Sequence, residues 1–255
     1  MVPDTVLGVT RNGPVATVEL TRGKVNAIDV ELLEDLGTTL EGLEHDNEVR
    51  AVILTGSGRA FSAGVDLRVV VDSEPRYARR LVDALRVGLE ALFFFPKPTV
   101  AAINGAAVAG GCILACACDR RLIAEHARIG ANELAVGVPF PVAALEILRH
   151  ACGSHTEDLV FTARLLDAHE AMALGMVHQV LPGEKLLERA VTVATELGTS
   201  APLAYRLAKQ QLRRPAFERM RSDAAAVDAV AIEEWAAPHT AQRLREQLDR
   251  LAASR

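Results

Sequence analysis

Apolar residues follow two different patterns along this chain. Short runs rich in β-branched residues are typical of buried strands. They occupy residues 15–20, 51–55, 99–103, 121–124 and 177–180. Between them lie longer segments whose apolar residues recur three and four positions apart, which predicts amphipathic helices. Strands and helices that alternate in this way predict an α/β fold.

The clearest helix begins at Asp29, a residue type that favours the N-cap. Its apolar face is formed by leucines, namely Leu32, Leu33, Leu36, Leu40 and Leu43. A second helix is predicted over residues 76–95, where Pro96 and Pro98 end it because proline cannot continue a helix.

From about residue 184 the strand patterns cease. Only helices are predicted there, over residues 184–197, 202–212, 217–235 and 239–252. The last of them places Leu244, Leu248 and Leu251 on one stripe, which must pack on the chain's own core or on another subunit. We therefore expect a core over residues 1–198 and a helical C-terminal region over 199–255.

Size, charge and cysteine content narrow the class of protein. At 255 residues the chain has room for one large domain, or for one domain with an appendage. The net charge is −5 and the basic residues are dispersed, so no nucleic-acid partner is expected. The N-terminus lacks the basic start and apolar core of a secretory leader, and four cysteines do not form a disulfide framework. These features predict a cytoplasmic protein with reduced thiols.

Residues 99–118 contain no charged side chain. This length is close to the ~20 residues that span a bilayer. The run is rich in alanine, however, and Asn104, Gly105 and the pair Gly110–Gly111 interrupt it. We interpret it as a buried strand, a turn and a short helix, and we expect no membrane partner.

Three cysteines, Cys112, Cys116 and Cys118, lie in the helical part of this run. Structural zinc sites usually combine a C-x2-C pair with a second pair of ligands, and no such partner lies nearby. Free cysteine behaves as a small buried hydrophobic residue. We interpret these three residues and Cys152 as packing residues and expect no metal site.

The glycine pair precedes a predicted helix that begins near Gly110. The first N–H groups of a helix have no partners within the helix. They stabilise an anion, or the charge that develops on a carbonyl oxygen. Close helix packing explains a glycine pair equally well. A second segment, GRAFSAGVDLR (58–68), follows another predicted strand, and its simplest interpretation is a turn capped by Asp66.

Taken together, five stretches resemble the enoyl-CoA hydratase/isomerase (crotonase) superfamily in order and approximate spacing. They are KVNAID (24–29), FSAGVDL (61–67), KPTVAAINGAAVAGGCILACACD (97–119), ARIGANELAVGVP (127–139) and ALGMVHQVLP (173–182). The resemblance implies an α/β fold, a spiral of β-β-α units with a helical C-terminal region. It also implies a homotrimer or a dimer of trimers, in which the C-terminal region serves oligomerisation and closes the active site.

Members of this family bind acyl-CoA thioesters and hold the thioester oxygen of an enolate-like intermediate with two backbone N–H groups. Matched to this sequence, those donors are Val65 and Gly110. The same matching gives the residues that line the CoA path, which are Lys24, Val25, Ala27, Ala63, Asp66, Leu67 and Arg68. The basic side chain of Arg68 suits the CoA phosphates. No cofactor is implied beyond the coenzyme A of the substrate.

Hydratases of the family use two glutamates, and this sequence departs from that pattern. The first position, three residues after Gly110, is Ile113, and the second is Glu133. Moving a double bond from position 3 to position 2 needs one base, whereas adding water uses both carboxylates. The resemblance therefore favours a 3,2-enoyl-CoA isomerase in which Glu133 is the base and Ile113 keeps water from the enolate.

Other interpretations stay open at this point. One is a hydratase, hydrolase or lyase that uses Glu133 alone, and another is a catalytically inactive protein that kept the CoA groove. Without the resemblance, Glu133 itself fits a surface or capping carboxylate. Glu146, Glu157 and Glu170 are expected to be ordinary solvated helix residues.

Overall fold

The computed structural model describes residues 6–253 and places their strands in two sheets. The strands are β1 (Leu7–Asn12), β2 (Val15–Leu20), β3 (Ala51–Gly56), β4 (Ala60–Ser62), β5 (Thr99–Ile103), β6 (Ala106–Val108), β7 (Arg120–Ala124), β8 (Arg128–Gly130), β9 (Leu166–Asp167) and β10 (Gln179–Leu181). The helices are α1 (Val30–His45), α2 (Leu67–Asp72), α3 (Arg76–Phe93), α4 (Gly110–Ala117), α5 (Glu133–Val136), α6 (Val142–Cys152), α7 (Thr156–Thr162), α8 (Ala168–Ala173), α9 (Gly183–Gly198), α10 (Pro202–Trp235) and α11 (Pro238–Ala253).

From β3 to β8, consecutive strands belong alternately to the larger and the smaller sheet. The larger sheet has the order β1-β2-β3-β5-β7-β10, and its neighbours run parallel except β1 and β2. The smaller sheet has the order β4-β6-β8-β9, in which β4, β6 and β8 are parallel. The pairs β3–β4, β5–β6 and β7–β8 thus repeat one step, with the first strand in the larger sheet and the second in the smaller. This is a spiral of β-β-α units, so the predicted fold is confirmed.

The first two predicted helices form where the sequence places them. The Asp29 carboxylate accepts a hydrogen bond from the Leu32 N–H at 2.9 Å and caps α1. The leucine face of α1 is buried in the core, with only Leu43 partly exposed. Helix α3 ends at Phe93, two residues before the predicted end. The reason is that the residue before a proline, here Phe95, disfavours helical backbone angles.

Residues 99–118 are interior, as predicted, but they hold one strand more than expected. β6 lies between β5 and α4, where the sequence indicated a turn. A strand of three residues is too short to show a hydrophobic period. All four cysteines are free and buried, which confirms their interpretation as packing residues. Within residues 6–253 no group of three His, Cys, Asp or Glu side chains could hold a metal ion.

The last strand lies two residues later than predicted. It was expected over residues 177–180, but β10 covers Gln179–Leu181. The N–H groups of Met176 and Val177 both donate to the Ala171 carbonyl, at 2.9 and 3.2 Å, so these residues complete the end of α8. Gly175 has a φ of 71°, which allows this helix termination.

The C-terminal region contains one long helix where two were expected. Residues 202–212 and 217–235 belong to the continuous helix α10, with Pro215 inside it. Proline removes one helical hydrogen bond, but the buried face of α10 continues across it through Arg213, Ala216 and Met220. Packing along this face outweighs the local loss.

Both C-terminal helices pack on the chain's own core. α10 lies against α3 and α6, and α11 lies against α2 and α5. Leu244 of the predicted stripe is fully buried and Leu248 packs beside it, whereas the Leu251 side chain is outside the part that the structure describes. The boundary at residue 198 stays a prediction. A bilayer crossing would need a longer apolar helix than any present in residues 6–253.

Candidate active site

Two segments far apart in sequence lie side by side at the edge of the smaller sheet. The Ala63 N–H donates to the Val25 carbonyl at 3.0 Å, and the Ile28 N–H donates to the Gly64 carbonyl at 2.8 Å. The Asp66 N–H returns a bond to the Ile28 carbonyl at 2.8 Å. The stretches KVNAID and FSAGVDL therefore form one surface.

Asn26 organises this surface, although the sequence did not single it out. It has a φ of 52°, in the left-handed region that asparagine tolerates better than most residues. Its side-chain amide donates to the carbonyls of Ser57 and Ala60, at 3.1 and 2.9 Å. Its own carbonyl accepts from the Ser62 hydroxyl at 2.7 Å. A buried asparagine in the quoted KVNAID motif was the available signal.

The two predicted oxyanion donors lie close to each other. A Cβ atom placed on Gly110 would lie 3.8 Å from the Val65 nitrogen and 3.7 Å from Gly64 Cα. Within the described chain, neither the Val65 N–H nor the Gly110 N–H has a hydrogen-bond acceptor. Gly110 is also the first residue of α4, whose dipole adds partial positive charge at this end. The pair can therefore hold an oxygen that carries negative charge.

The approach of α4 to Val65 depends on its first residues. Ala109 has φ 50° and ψ −123°, a conformation that L-residues rarely adopt, and its N–H donates to the Gly130 carbonyl at 2.8 Å. Strain of this kind is typical of functional sites. A Cβ atom on Gly111 would lie 2.3 Å from the Ser62 carbonyl oxygen. Gly111 therefore serves close packing, whereas the oxyanion role of Gly110 stays a prediction.

Glu133 is buried beside α4, so it is not the surface carboxylate that its sequence context also allowed. It begins α5 three residues after Gly130, the partner of Ala109, and its exposure is 7%. Its Oε2 has no hydrogen-bond partner in the described part of the chain. Burial raises the pKa of Glu133 from its ordinary 4.5 to about 8, against a small opposing effect of its own backbone N–H. A base with this pKa is suited to proton transfer near neutral pH.

No charged side chain in the described part of the chain is among the causes that shift the pKa of Glu133. Ile113, at the position of the first hydratase glutamate, is 1% exposed on α4. The pKa of the nearby Cys112 thiol is raised by its hydrogen bond with Cys116 and by burial, with a further contribution from the Glu133 charge. Asn132, which precedes Glu133, does not cap α5 with its side chain, and its Oδ1 is also buried without a partner among residues 6–253.

The proposed CoA-path residues lie along the open side of the joined segments. Lys24, Val25, Ala63 and Arg68 are exposed, and Ala27 and Leu67 are half-buried. Asp66 caps α2, because its Oδ1 accepts from the N–H groups of Arg68 and Val69 at 3.0 and 3.3 Å. The capping interpretation of Asp66 is thus confirmed, and its contact with CoA stays a prediction.

The expectation that Glu146 is solvated is wrong. Its side chain is buried between α6 and α10, where its carboxylate accepts from Arg219 at 2.6 Å and pairs with Arg149 at 3.4 Å. Glu157 and Glu170 are exposed, as predicted. The pattern of α6 could not reveal the burial because the partner Arg219 lies 73 residues further along the chain.

The C-terminal helix α11 covers the segments around this site. Arg245 donates to the Val71 carbonyl of α2 at 3.1 Å. The Arg243 guanidinium lies against Gly137, directly after α5, since a Cβ atom there would be 3.2 Å from Arg243 Nε. Neither arginine stood out in the sequence. A charged residue on a predicted helix gives no sign of whether it is solvated or contacts a distant segment.

Comparison with known proteins gives a consistent result. The family model described as "Enoyl-CoA hydratase/isomerase" matches residues 10–246. A "Putative enoyl-CoA hydratase" of Thermus thermophilus is 40% identical over 192 residues, which are 73% of this chain and 75% of that protein. The "Short-chain-enoyl-CoA hydratase" of Clostridium acetobutylicum is 32% identical over 207 residues, 80% of this chain and 79% of that protein. The crystal structure of human mitochondrial delta3-delta2-enoyl-CoA isomerase is 28% identical, covers 98% of this chain and 100% of its own, and superposes with a TM-score of 0.93. This chain is an enzyme that belongs to the enoyl-CoA hydratase/isomerase family.

Proposed function

We propose that the protein is a 3,2-enoyl-CoA isomerase with Glu133 as its single base. The Val65 and Gly110 N–H groups bind the thioester oxygen. The Glu133 carboxylate removes a proton from C2, and the electrons of that C–H bond form the C1–C2 double bond of the enolate while charge moves to the oxygen. The carboxyl group then returns the proton to C4, and the double bond comes to rest between C2 and C3.

The observation that carries this proposal is that Glu133 has a buried carboxyl group with one oxygen unpaired among the described residues, while the position of the first hydratase glutamate is the apolar residue Ile113. Oε2 of Glu133 lacks a protein partner in the described chain, and Ile113 stands where a second carboxylate would hold water. Hydration requires water to be positioned and deprotonated, whereas isomerisation requires water to be absent from the enolate. One base and an apolar residue at the other glutamate position favour isomerisation over hydration.

The acyl-CoA thioester that the family implies is the proposed partner. In this proposal, CoA lies along residues 24–27 and 63–68, with the exposed Arg68 near its phosphates. The reaction as written needs no group besides protein side chains and backbone, so no separate cofactor is proposed.

Hydration is the second candidate because the Thermus and Clostridium relatives carry hydratase names. Ultraviolet absorbance distinguishes the two reactions, since only the 2-enoyl thioester is conjugated. We expect absorbance to rise with a 3-enoyl-CoA and to stay nearly constant with a 2-enoyl-CoA. A rapid fall with the 2-enoyl-CoA, and no rise with the 3-enoyl-CoA, would establish hydration instead.

The rate should depend on pH through Glu133. The base must be ionised to act, and burial raises its pKa to about 8. We therefore expect kcat/KM for isomerisation to increase with pH and to reach half its maximum near pH 8. A profile measured with a 3-enoyl-CoA checks this, and a midpoint near the ordinary value of 4.5 would show that Glu133 is solvated in the working enzyme.

We also propose that the chain assembles as a trimer or a dimer of trimers. The Leu244 stripe is used within the chain, but α10 leaves other apolar side chains exposed, namely Leu203, Leu207, Leu212, Phe217, Val227 and Val230. Apolar side chains grouped on one element favour a protein interface. Light scattering should give three or six times 27.3 kDa, and a mass of one chain would contradict the proposal.

A further inference from the structure

Residues 133–142 form few hydrogen bonds of their own beyond one short turn, so contacts from other parts of the chain must hold them in place. The Glu133 carbonyl accepts from the N–H groups of Gly137 and Val138, at 2.9 and 3.1 Å, which closes a short turn. Pro139 and Pro141 then follow, and neither can donate a backbone hydrogen bond. Helix α6 begins directly afterwards with no capping side chain of its own at Pro141.

Helix α10 supplies the missing contacts from about one hundred residues away. The Asp228 carboxylate accepts from the Val142 N–H at 2.8 Å and so caps α6 from a neighbouring helix. The indole N–H of Trp235 donates to the Pro139 carbonyl at 3.1 Å. Both side chains are nearly fully buried, at 8% and 5% exposure. A separation of seven residues places them on one face of α10, two helical turns apart.

These contacts have a clear physical value. An uncapped helix start leaves N–H groups without partners, and a carboxylate there also interacts favourably with the helix dipole. A buried indole N–H needs an acceptor. Together they fix both ends of residues 139–142, which continue directly from the turn that carries Glu133.

We propose that Asp228 and Trp235 are positioning residues for Glu133, which hold residues 133–142 closed over the base. This inference rests on the proposed role of Glu133. When the segment is closed, Glu133 stays out of water and its carboxyl group stays in place for the substrate. When a contact is lost, the turn opens and water reaches the carboxyl group.

The charged and titratable groups around residues 133–142 do not account for the raised pKa of Glu133. They are the Cys112 thiol of α4, Asp228 of α10 and Arg243 of α11, while Glu157 and Asp158 of α7 are exposed. Burial is the cause that raises the pKa of Glu133. An opened segment should therefore lower that pKa toward its ordinary value.

The test uses Trp235→Phe, which removes the N–H donor and reduces the indole to a smaller aromatic ring, and Asp228→Leu, which removes the acceptor. Asp228→Asn keeps an acceptor oxygen and should restore nearly normal behaviour. Asp223→Leu is the matched control, because Asp223 is exposed on the same helix. We expect kcat to fall by about 10- to 100-fold in the first two variants, as small displacements of a catalytic group do. KM should change little, and the midpoint of the kcat/KM profile should move below pH 8.

Amide hydrogen exchange of residues 133–142 measures how firmly this segment is kept closed, and it does so independently of catalysis. It should become faster in Trp235→Phe and Asp228→Leu, and stay unchanged in Asp228→Asn and Asp223→Leu. Unchanged exchange, or lower stability with an unmoved kinetic midpoint, would overturn the positioning role. A wild-type protein that does not isomerise would refute the proposed function instead, and the exchange measurement would still decide whether α10 holds the segment.

Discussion

Replacing Glu133 with Gln is expected to lower kcat for isomerisation of a 3-enoyl-CoA by about 10²- to 10⁴-fold, the range of a general base. The substitution keeps the size and shape of the side chain, so only the ability to accept the C2 proton is lost. Binding of an acyl-CoA should survive, since the proposed oxyanion donors Val65 and Gly110 and the CoA path are unchanged. Steady-state kinetics measures kcat, and titration of the same preparation with an acyl-CoA measures binding.

The stability of this variant provides its own control. The pKa of Glu133 is about 8 in the folded chain, against an ordinary value of 4.5. The folded state therefore binds the proton more tightly, and stability is lost as pH rises from about 4.5 to 8, by up to about 1.4 kcal/mol per pH unit. Gln does not titrate, so Glu133→Gln should be at least as stable as the wild type above pH 8. An inactive but less stable variant would indicate unfolding, and a fully active one would show that Glu133 is not the base.

The largest loss of stability is expected from replacement of Asp119. This residue lies just after the end of α4 and anchors α10 there. Its carboxylate pairs with Lys209 at 2.9 Å and Arg213 at 2.7 Å, and it accepts from the Tyr205 hydroxyl at 3.0 Å and the Thr99 N–H at 2.8 Å. Burial alone would raise the pKa of Asp119, but the two cations hold it below its usual value. Asp119→Ala would leave both cations buried without this partner, at a cost of about 3–5 kcal/mol.

Denaturant unfolding at a fixed protein concentration measures this loss. Asp119→Asn keeps hydrogen-bonding atoms and should cost less than Asp119→Ala. Asp223→Ala removes an exposed acid from α10 and should change stability by no more than about 0.5 kcal/mol. Equal stability of Asp119→Ala and wild type would contradict the anchoring role.

The fold was predictable from the sequence because its elements carry strong local signals. The strands around β3 and β5 are continuous apolar runs, and α1 combines the Asp29 cap with a leucine face. Where local signals compete, prediction was wrong. Pro215 marked a break that packing along α10 overrides, and the apolar residue Val177 was assigned to a strand although it finishes a helix.

The candidate site was predictable in its residues but not in its environment. The family resemblance gave Val65, Gly110 and Glu133 as candidates, and in the structure each follows a strand of the smaller sheet. The burial of Glu146, and the contacts of Asp228 and Trp235, depend on groups that lie 73 to 96 residues apart along the chain. The periodicity of apolar residues along a helix or strand gives no information about contacts between residues so far apart in the sequence. The positive φ of Ala109 was equally hidden, because alanine gives no signal for it.

Incorporation of oxygen from water into the products is the most direct test of whether this enzyme moves a proton with one base and adds no water. The wild-type enzyme would be incubated with a 3-enoyl-CoA in water labelled with oxygen-18, and the products analysed by mass spectrometry. We expect a 2-enoyl-CoA with the same mass as its substrate and no oxygen-18. Oxygen-18 in a 3-hydroxyacyl-CoA as the main product would establish hydration, oxygen-18 in a free acid would establish thioester hydrolysis, and either result would contradict the single-base isomerisation.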